Sequence, residues 1–187
     1  MTPRLPVVIA LCTGNAARSV MLTSYLQTRL DGIEVRSRGT HAVEGMPMSW
    51  RTKAALDSVS LAAPGHRSTQ FRLEDLGAEL VVAMEYDHVN WIRREHPELA
   101  ARTATLPALA RWSETWSRDR NAGCSVAMGP RDYLNAKCST TDAGEMGEVS
   151  DPAGGEAQDY VDIVNEVVTL AALAVPFIGD LTGGRLR

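Results

Sequence analysis

The sequence predicts an α/β fold, a central parallel four-stranded sheet with helices on both faces, formed by residues 1–187 as one domain. Three observations carry this expectation. Apolar runs such as Pro6–Leu11 and Leu80–Met84 lack the polar alternation of a half-exposed strand and read as strands buried on both faces. They alternate with segments whose apolar residues recur at helical spacing, and strand–helix–strand order leads to right-handed crossovers and parallel pairing. With 44% of its residues apolar, the chain can build one core and is too short for two comfortable ones.

The first strand is expected near Leu5–Leu11. A helix over about Ser19–Leu30 follows, with Val20, Met21, Tyr25, Leu26 and Leu30 at helical spacing. Ile33–Arg38 reads as a second strand, Ser49–Val59 as a helix, Gly65–Ser68 as a loop and Glu79–Met84 as a third strand. Tyr86–His96 forms a helix stopped by Pro97, Thr103–Leu106 a short fourth strand, and Pro107–Trp116 a helix with proline at its start. From about residue 117 to 150 the periodicity fades, and Gly123, Gly129, Gly144 and Gly147 among small polar residues read as a long irregular connection. A last helix over about Glu156–Val175 covers the sheet. The apolar stretch Val167–Ile178 is too short to span a bilayer and is interrupted by Pro176, so no membrane segment is expected.

Lys and Arg number 19 against 23 Asp and Glu, a net charge of -4 scattered along the chain. No basic tract offers itself to nucleic acid or anionic lipid, which leaves proteins and small molecules as partners. Three cysteines, Cys12, Cys124 and Cys138, are too few for a disulfide framework and fit a reducing cytoplasm. His41, His66, His88 and His96 show no ligand spacing with cysteines or carboxylates, so neither a metal nor a cofactor is expected. His66 with Arg67 reads as a brace between loops.

The chemistry concentrates in Cys12-Thr13-Gly14-Asn15-Ala16-Ala17-Arg18-Ser19, which joins the first strand to the first helix. A thiol at a strand end, a glycine-containing turn and a helix N-terminus make a place to hold a phosphate beside a nucleophile. Backbone N–H groups from Thr13 to Ser19 can surround an anion, Gly14 lets the backbone approach closely, and Asn15 tolerates a left-handed turn. Arg18 offers a planar fork to two oxygens, and Ser19 can donate a hydrogen bond that favours the Cys12 thiolate. Neither Cys124 nor Cys138 has an arginine six residues on. A phosphate monoester also needs an acid for the leaving oxygen and a base for water, and Asp151 in Asp151-Pro152-Ala153-Gly154-Gly155, on a turn before the last helix, is the candidate.

Together these residues resemble the low-molecular-weight protein tyrosine phosphatase family, with its N-terminal Cys-x5-Arg-Ser loop and late Asp-Pro. Ser37-Arg38-Gly39-Thr40, Gly65-His66-Arg67-Ser68 and Leu80–Met84 resemble further family segments. The resemblance implies a phosphatase that hydrolyses phosphate monoesters, of a phosphorylated protein or a small molecule and foremost protein phosphotyrosine, through a phosphocysteine intermediate, and releases inorganic phosphate. It makes Cys12 the nucleophile, Asn15, Arg18 and Ser19 organisers of the phosphate loop, and Asp151 the acid and base.

Several positions depart from the family pattern. Ala17 stands where a second, protecting cysteine is common, and Val20 where proline is common. The aromatics that sandwich a phenyl ring are replaced by His41-Ala42-Val43-Glu44-Gly45 and by Ala153-Gly154. Trp50, Tyr86, Trp91, Trp112 and Trp116 are possible substitutes, each read first as core. Three rival readings stay open: a thiol-dependent arsenate reductase using Cys124 and Cys138, a phosphoarginine phosphatase, whose branch prefers threonine where this chain has Ala16, and a non-catalytic phosphate- or partner-binding module.

Overall fold

A computed structural model describes residues 4–121 and 128–187. The sheet comprises β1 (Val7–Cys12), β3 (Glu34–Gly39), β4 (Leu80–Ala83) and β5 (Thr103–Thr105), all parallel in the order β3-β1-β4-β5. β1 is buried at every position, as its unbroken apolar run requires. Its alternate residues divide the core: Val8, Ala10 and Cys12 face one apolar cluster, Val7, Ile9 and Leu11 the other.

The first cluster is covered by α1 (Arg18–Arg29), α2 (Trp50–Ser58), α4 (Leu106–Asn121) and α7 (Ala157–Thr182), the second by α3 (Tyr86–Glu95) with Phe71 and Leu99. Helices on both faces of a four-stranded parallel sheet are thus the observed architecture. β1 pairs with β3 on one side and β4 on the other, so the chain leaves it in opposite directions across the sheet. In open α/β sheets the crevice beyond the strand ends at such a switch point is where ligands bind. Cys12 is the last residue of β1 and sits there.

Three elements differ from the sequence reading. The segment from 117 to 150 is not irregular throughout: α4 continues to Asn121, α5 spans Pro130–Thr140 and α6 spans Ala143–Met146. α5 buries only Leu134 and Cys138 fully, too sparse an apolar stripe to stand out in sequence. α7 runs through Pro176 to Thr182, beyond the expected end at Val175, because tertiary packing of Phe177, Ile178 and Leu181 outweighs the lost backbone hydrogen bond. By length and composition this helix could cross a membrane, but it packs against α4, α1 and α2. The unexpected strand β2 (Leu30–Asp31) pairs antiparallel with β6 (Arg185–Leu186), tying the chain end to the end of α1.

Candidate active site

Residues 13–17 form the loop between β1 and α1. Asn15 adopts φ 52°, the left-handed region, and carries the turn. Its side chain is buried and fully engaged: Nδ2 donates to Ser19 Oγ at 3.0 Å and Oδ1 accepts from the Thr69 N–H at 2.8 Å. The Asn15 carbonyl accepts from His66 Nε2 at 2.8 Å and Ser68 Oγ at 2.9 Å. His66 therefore braces the loop as expected. Its proton affinity is lowered by burial, while the hydrogen bond to Asn15 opposes the shift.

Gly39, at the end of β3, is required by close approach: a Cβ there would lie 2.6 Å from the Thr13 carbonyl oxygen and 3.1 Å from Asn15 N. Gly14 is different, because a Cβ at that position meets no protein atom within 4 Å. Ala16 is held through its carbonyl, which accepts from Thr52 Oγ1 at 3.0 Å, and Thr52 lies in the first turn of α2. Ala17 is the N-cap of α1 and contributes no side-chain cap, so that helix begins without the usual acceptor for its first N–H groups. Those donors, at the positive end of the helix, are suited to an anion.

Cys12 Sγ lies 3.0 Å from Ser19 Oγ. Ser19 is fully buried and accepts from Asn15, which leaves its own proton free to donate to the sulfur. Arg18 is 2% exposed. Nη2 lies 2.9 Å from Asp151 Oδ2, and Nη1 lies 3.2 Å from Glu85 Oε2 and donates to the Val149 carbonyl at 3.1 Å. Val149 N–H in turn donates to the Met84 carbonyl at 2.8 Å, which anchors the segment leading to Asp151 on the end of β4. Asp151 Oδ1 accepts from the Ala153 N–H at 3.1 Å, and Gly154 turns the chain with φ 81°. The structure thus brings Cys12, Arg18, Ser19 and Asp151 to one place.

The sequence reading missed Glu85 and His88. The register that pairs Leu11 with Ala83 sets Thr13 beside Glu85, and Met84 N–H donates to the Leu11 carbonyl at 3.1 Å. His88 Nε2 lies 3.0 Å from both Thr13 Oγ1 and Glu85 Oε1. Burial, then the Arg18 charge, push the His88 pKa down to about 4. Thr13, His41, Glu85, His88 and Trp91 line a polar cleft of about 470 Å³ next to the loop.

Residues 7–120 match the family profile described as low molecular weight phosphotyrosine protein phosphatase. The chain belongs to the low molecular weight phosphotyrosine protein phosphatase family. It is 28% identical over 165 residues to a protein-arginine-phosphatase of Geobacillus stearothermophilus, covering 87% of this chain and 89% of that one. It is 26% identical over 163 residues to the low molecular weight protein-tyrosine-phosphatase PtpB of Staphylococcus aureus, covering 87% and 92%. Among solved structures, the YwlE arginine phosphatase from Geobacillus stearothermophilus superposes with a TM-score of 0.69 at 28% identity, covering 92% of each chain.

The aromatic and cysteine side chains divide between the core and the surface. Trp112 and Trp116 are core, as expected, but Trp50 is 64% exposed at the start of α2 and is not. Tyr86 turns its hydroxyl to Arg93 Nη1 at 2.9 Å, and Trp91 packs on Phe71 and His96. Cys138 is buried, bonds the Thr103 carbonyl at 3.3 Å, and its thiol is pushed up to about 12 by burial. Cys124 lies outside the described residues.

Proposed function

We propose that Cys12 attacks the phosphorus of a protein phosphomonoester, foremost phosphotyrosine, in line with the leaving oxygen. The S–P bond forms as the P–O bond breaks, and Asp151 transfers its proton to the departing oxygen. Arg18 and the backbone N–H groups of residues 13–19 hold the three equatorial oxygens through the step. Asp151, now a carboxylate, takes a proton from water as that water attacks phosphocysteine, which releases inorganic phosphate and regenerates the thiolate. The observation that carries this reading is the convergence of a thiol bonded to Ser19 with an arginine in the same loop that meets Asp151 at 2.9 Å. No metal and no cofactor enters any step. The reading assigns the protein to a reducing compartment, the cytoplasm, since Ala17 stands where a protecting cysteine is common and a free thiol nucleophile needs such surroundings.

A second reading, phosphoarginine, is favoured by one observation. Glu85 and Asp151 flank the phosphate loop with two carboxylates, and Ala153-Gly154 supplies no ring. A guanidinium leaving group matches carboxylates better than a phenyl ring does. An arsenate reductase gains no support from Cys138, a buried thiol held protonated.

The test compares an aryl phosphate, a phosphotyrosine peptide, a phosphoarginine peptide and arsenate with a thiol reductant, in parallel on the purified protein. Turnover of the phosphotyrosine peptide above the others is expected. Preference for phosphoarginine selects the second reading, and arsenate turnover requiring Cys124 or Cys138 overturns both.

A further inference from the structure

Arg18 is surrounded by more acceptors than the proposed chemistry uses. Asp151 has to let go of the guanidinium to deliver a proton to a leaving group, so something else must keep the fork in place. Asp151 suits departure: its side chain is 46% exposed, and its other hydrogen bond is to the Ala153 N–H in its own turn. Glu85 is the opposite case. Its Oε2 meets Arg18 Nη1 at 3.2 Å, while Oε1 lies 3.5 Å from Arg18 Nη2, 3.4 Å from Thr13 Oγ1 and 3.0 Å from His88 Nε2.

The state of His88 follows from its neighbours. Nε2 faces a carboxylate, which only accepts, and Nδ1 is buried without a partner. A proton on Nε2 gives Glu85 a donor and leaves Nδ1 with an orphan lone pair, which costs less than an orphan N–H. A neutral, Nε2-protonated His88 therefore holds Glu85 without adding positive charge beside Arg18. Thr13 Oγ1 closes the group onto the residue that follows the nucleophile.

We propose that Glu85, locked by His88 and Thr13, is the positioning residue for Arg18, keeping its fork aimed into the loop while Asp151 leaves it for the leaving group. The inference rests on the phosphocysteine reading above. It assigns Glu85 no contact with substrate.

The test measures kcat and KM on an aryl phosphate, inhibition by inorganic phosphate, and the melting temperature for wild type, Glu85→Gln, Glu85→Asp and His88→Ala. Glu85→Gln should lower kcat by about 10²-fold, the scale of a small misplacement at a reacting centre. Its affinity for inorganic phosphate should hold or tighten, because the anion competing for Arg18 is gone while the N–H cradle remains. Glu85→Asp should recover part of the kcat, and His88→Ala should lose less than Glu85→Gln. A kcat within twofold of wild type in Glu85→Gln overturns the role. So does a parallel loss of kcat, phosphate affinity and melting temperature with no recovery in Glu85→Asp, the pattern of a merely structural residue. Cys12→Ser separates the two claims, since turnover by that variant overturns the phosphocysteine reading, whereas an undiminished Glu85→Gln overturns the positioning role alone.

Discussion

The two walls of the loop between β1 and α1 are built from different materials. On one side Asn15, Ser19, Ser68 and His66 form a buried network of neutral hydrogen bonds, each group satisfied by a neighbour. On the other side Arg18, Glu85 and Asp151 form a charged cluster that opens toward solvent at Asp151. Neutral, satisfied networks rigidify a backbone without a large desolvation cost, and they suit a cradle that must exist before substrate arrives. Charges that can exchange partners suit the wall where bonds are made and broken. On the proposed mechanism the neutral wall sets shape and the charged wall sets chemistry.

The largest expected effect sharpens this division at the point where the walls meet. Cys12→Ser keeps both walls and removes the proposed nucleophile, so turnover should fall to background, by at least about 10⁴-fold, the scale seen for nucleophile loss in covalent catalysis. Phosphate or vanadate binding, followed by calorimetry, should persist because the cradle and Arg18 remain. Loss of binding together with turnover would show that the thiol is part of the scaffold instead.

Asp151→Asn acts on the charged wall only. A phenol with a pKa near 10 needs a proton as it leaves, whereas a nitrophenol needs far less help. Burst kinetics of the first step should show a penalty approaching ~10²–10⁴-fold for phenyl phosphate and a much smaller one for the activated ester. Equal penalties would reduce Asp151 to a turn residue and a counter-ion for Arg18.

How much of this was legible in the sequence depends on contiguity. β1, the loop and α1 occupy one unbroken stretch, so Cys12, Asn15, Arg18 and Ser19 could be read together, and Asp151 was marked by the proline and glycines after it. Glu85 and His88 could not be read, because nothing local marks them. Their meeting with Arg18 and Thr13 is a product of the β1–β4 register. The match of Glu85 and His88 to the loop becomes visible only once Leu11 is opposite Ala83. Helix α5 escaped for a related reason, since the partners of its Tyr133 and Cys138, namely Trp116 and Phe177 for the ring and Thr103 and Arg93 for the cysteine, are remote in sequence. The apolar periodicity predicts α7 as a helix but not its end, because Pro176 is a local stop signal that packing overrules.

The buried histidine gives the comparison a dependence on pH. His88 sits at about 4, below its ordinary value of 6.5, owing to burial first and Arg18 second. An unfolded chain takes up a proton at this histidine near 6.5, while the folded protein does so only near 4. The stability contributed by the neutral ring is therefore complete above pH 6.5 and declines as pH falls from 6.5 toward 4, by on the order of 3 kcal/mol. Urea unfolding at pH 7 and pH 5 should show a steeper loss in wild type than in His88→Asn. Parallel losses would mean that His88 titrates normally and that the charged wall tolerates a second cation.

The smallest effect concerns what lies outside both walls. Trp50 is the first residue of α2, two positions before the Thr52 whose hydroxyl bonds the Ala16 carbonyl, and its ring is exposed with Arg51 packed on it at 5.0 Å. With no ring supplied by Ala153-Gly154, Trp50 is the exposed aromatic side chain tied most directly to the phosphate loop among the described residues. Aromatic contacts contribute about 0.5–1.5 kcal/mol, so Trp50→Ala should lower kcat/KM for a phosphotyrosine peptide by about 2- to 12-fold through KM. A phosphoarginine peptide of the same flanking sequence should be unaffected, because its leaving group answers to carboxylates rather than to a ring. Equal losses on both peptides would make Trp50 a contact for the flanking residues, and no loss on either would leave discrimination between tyrosine and arginine to the charged wall alone.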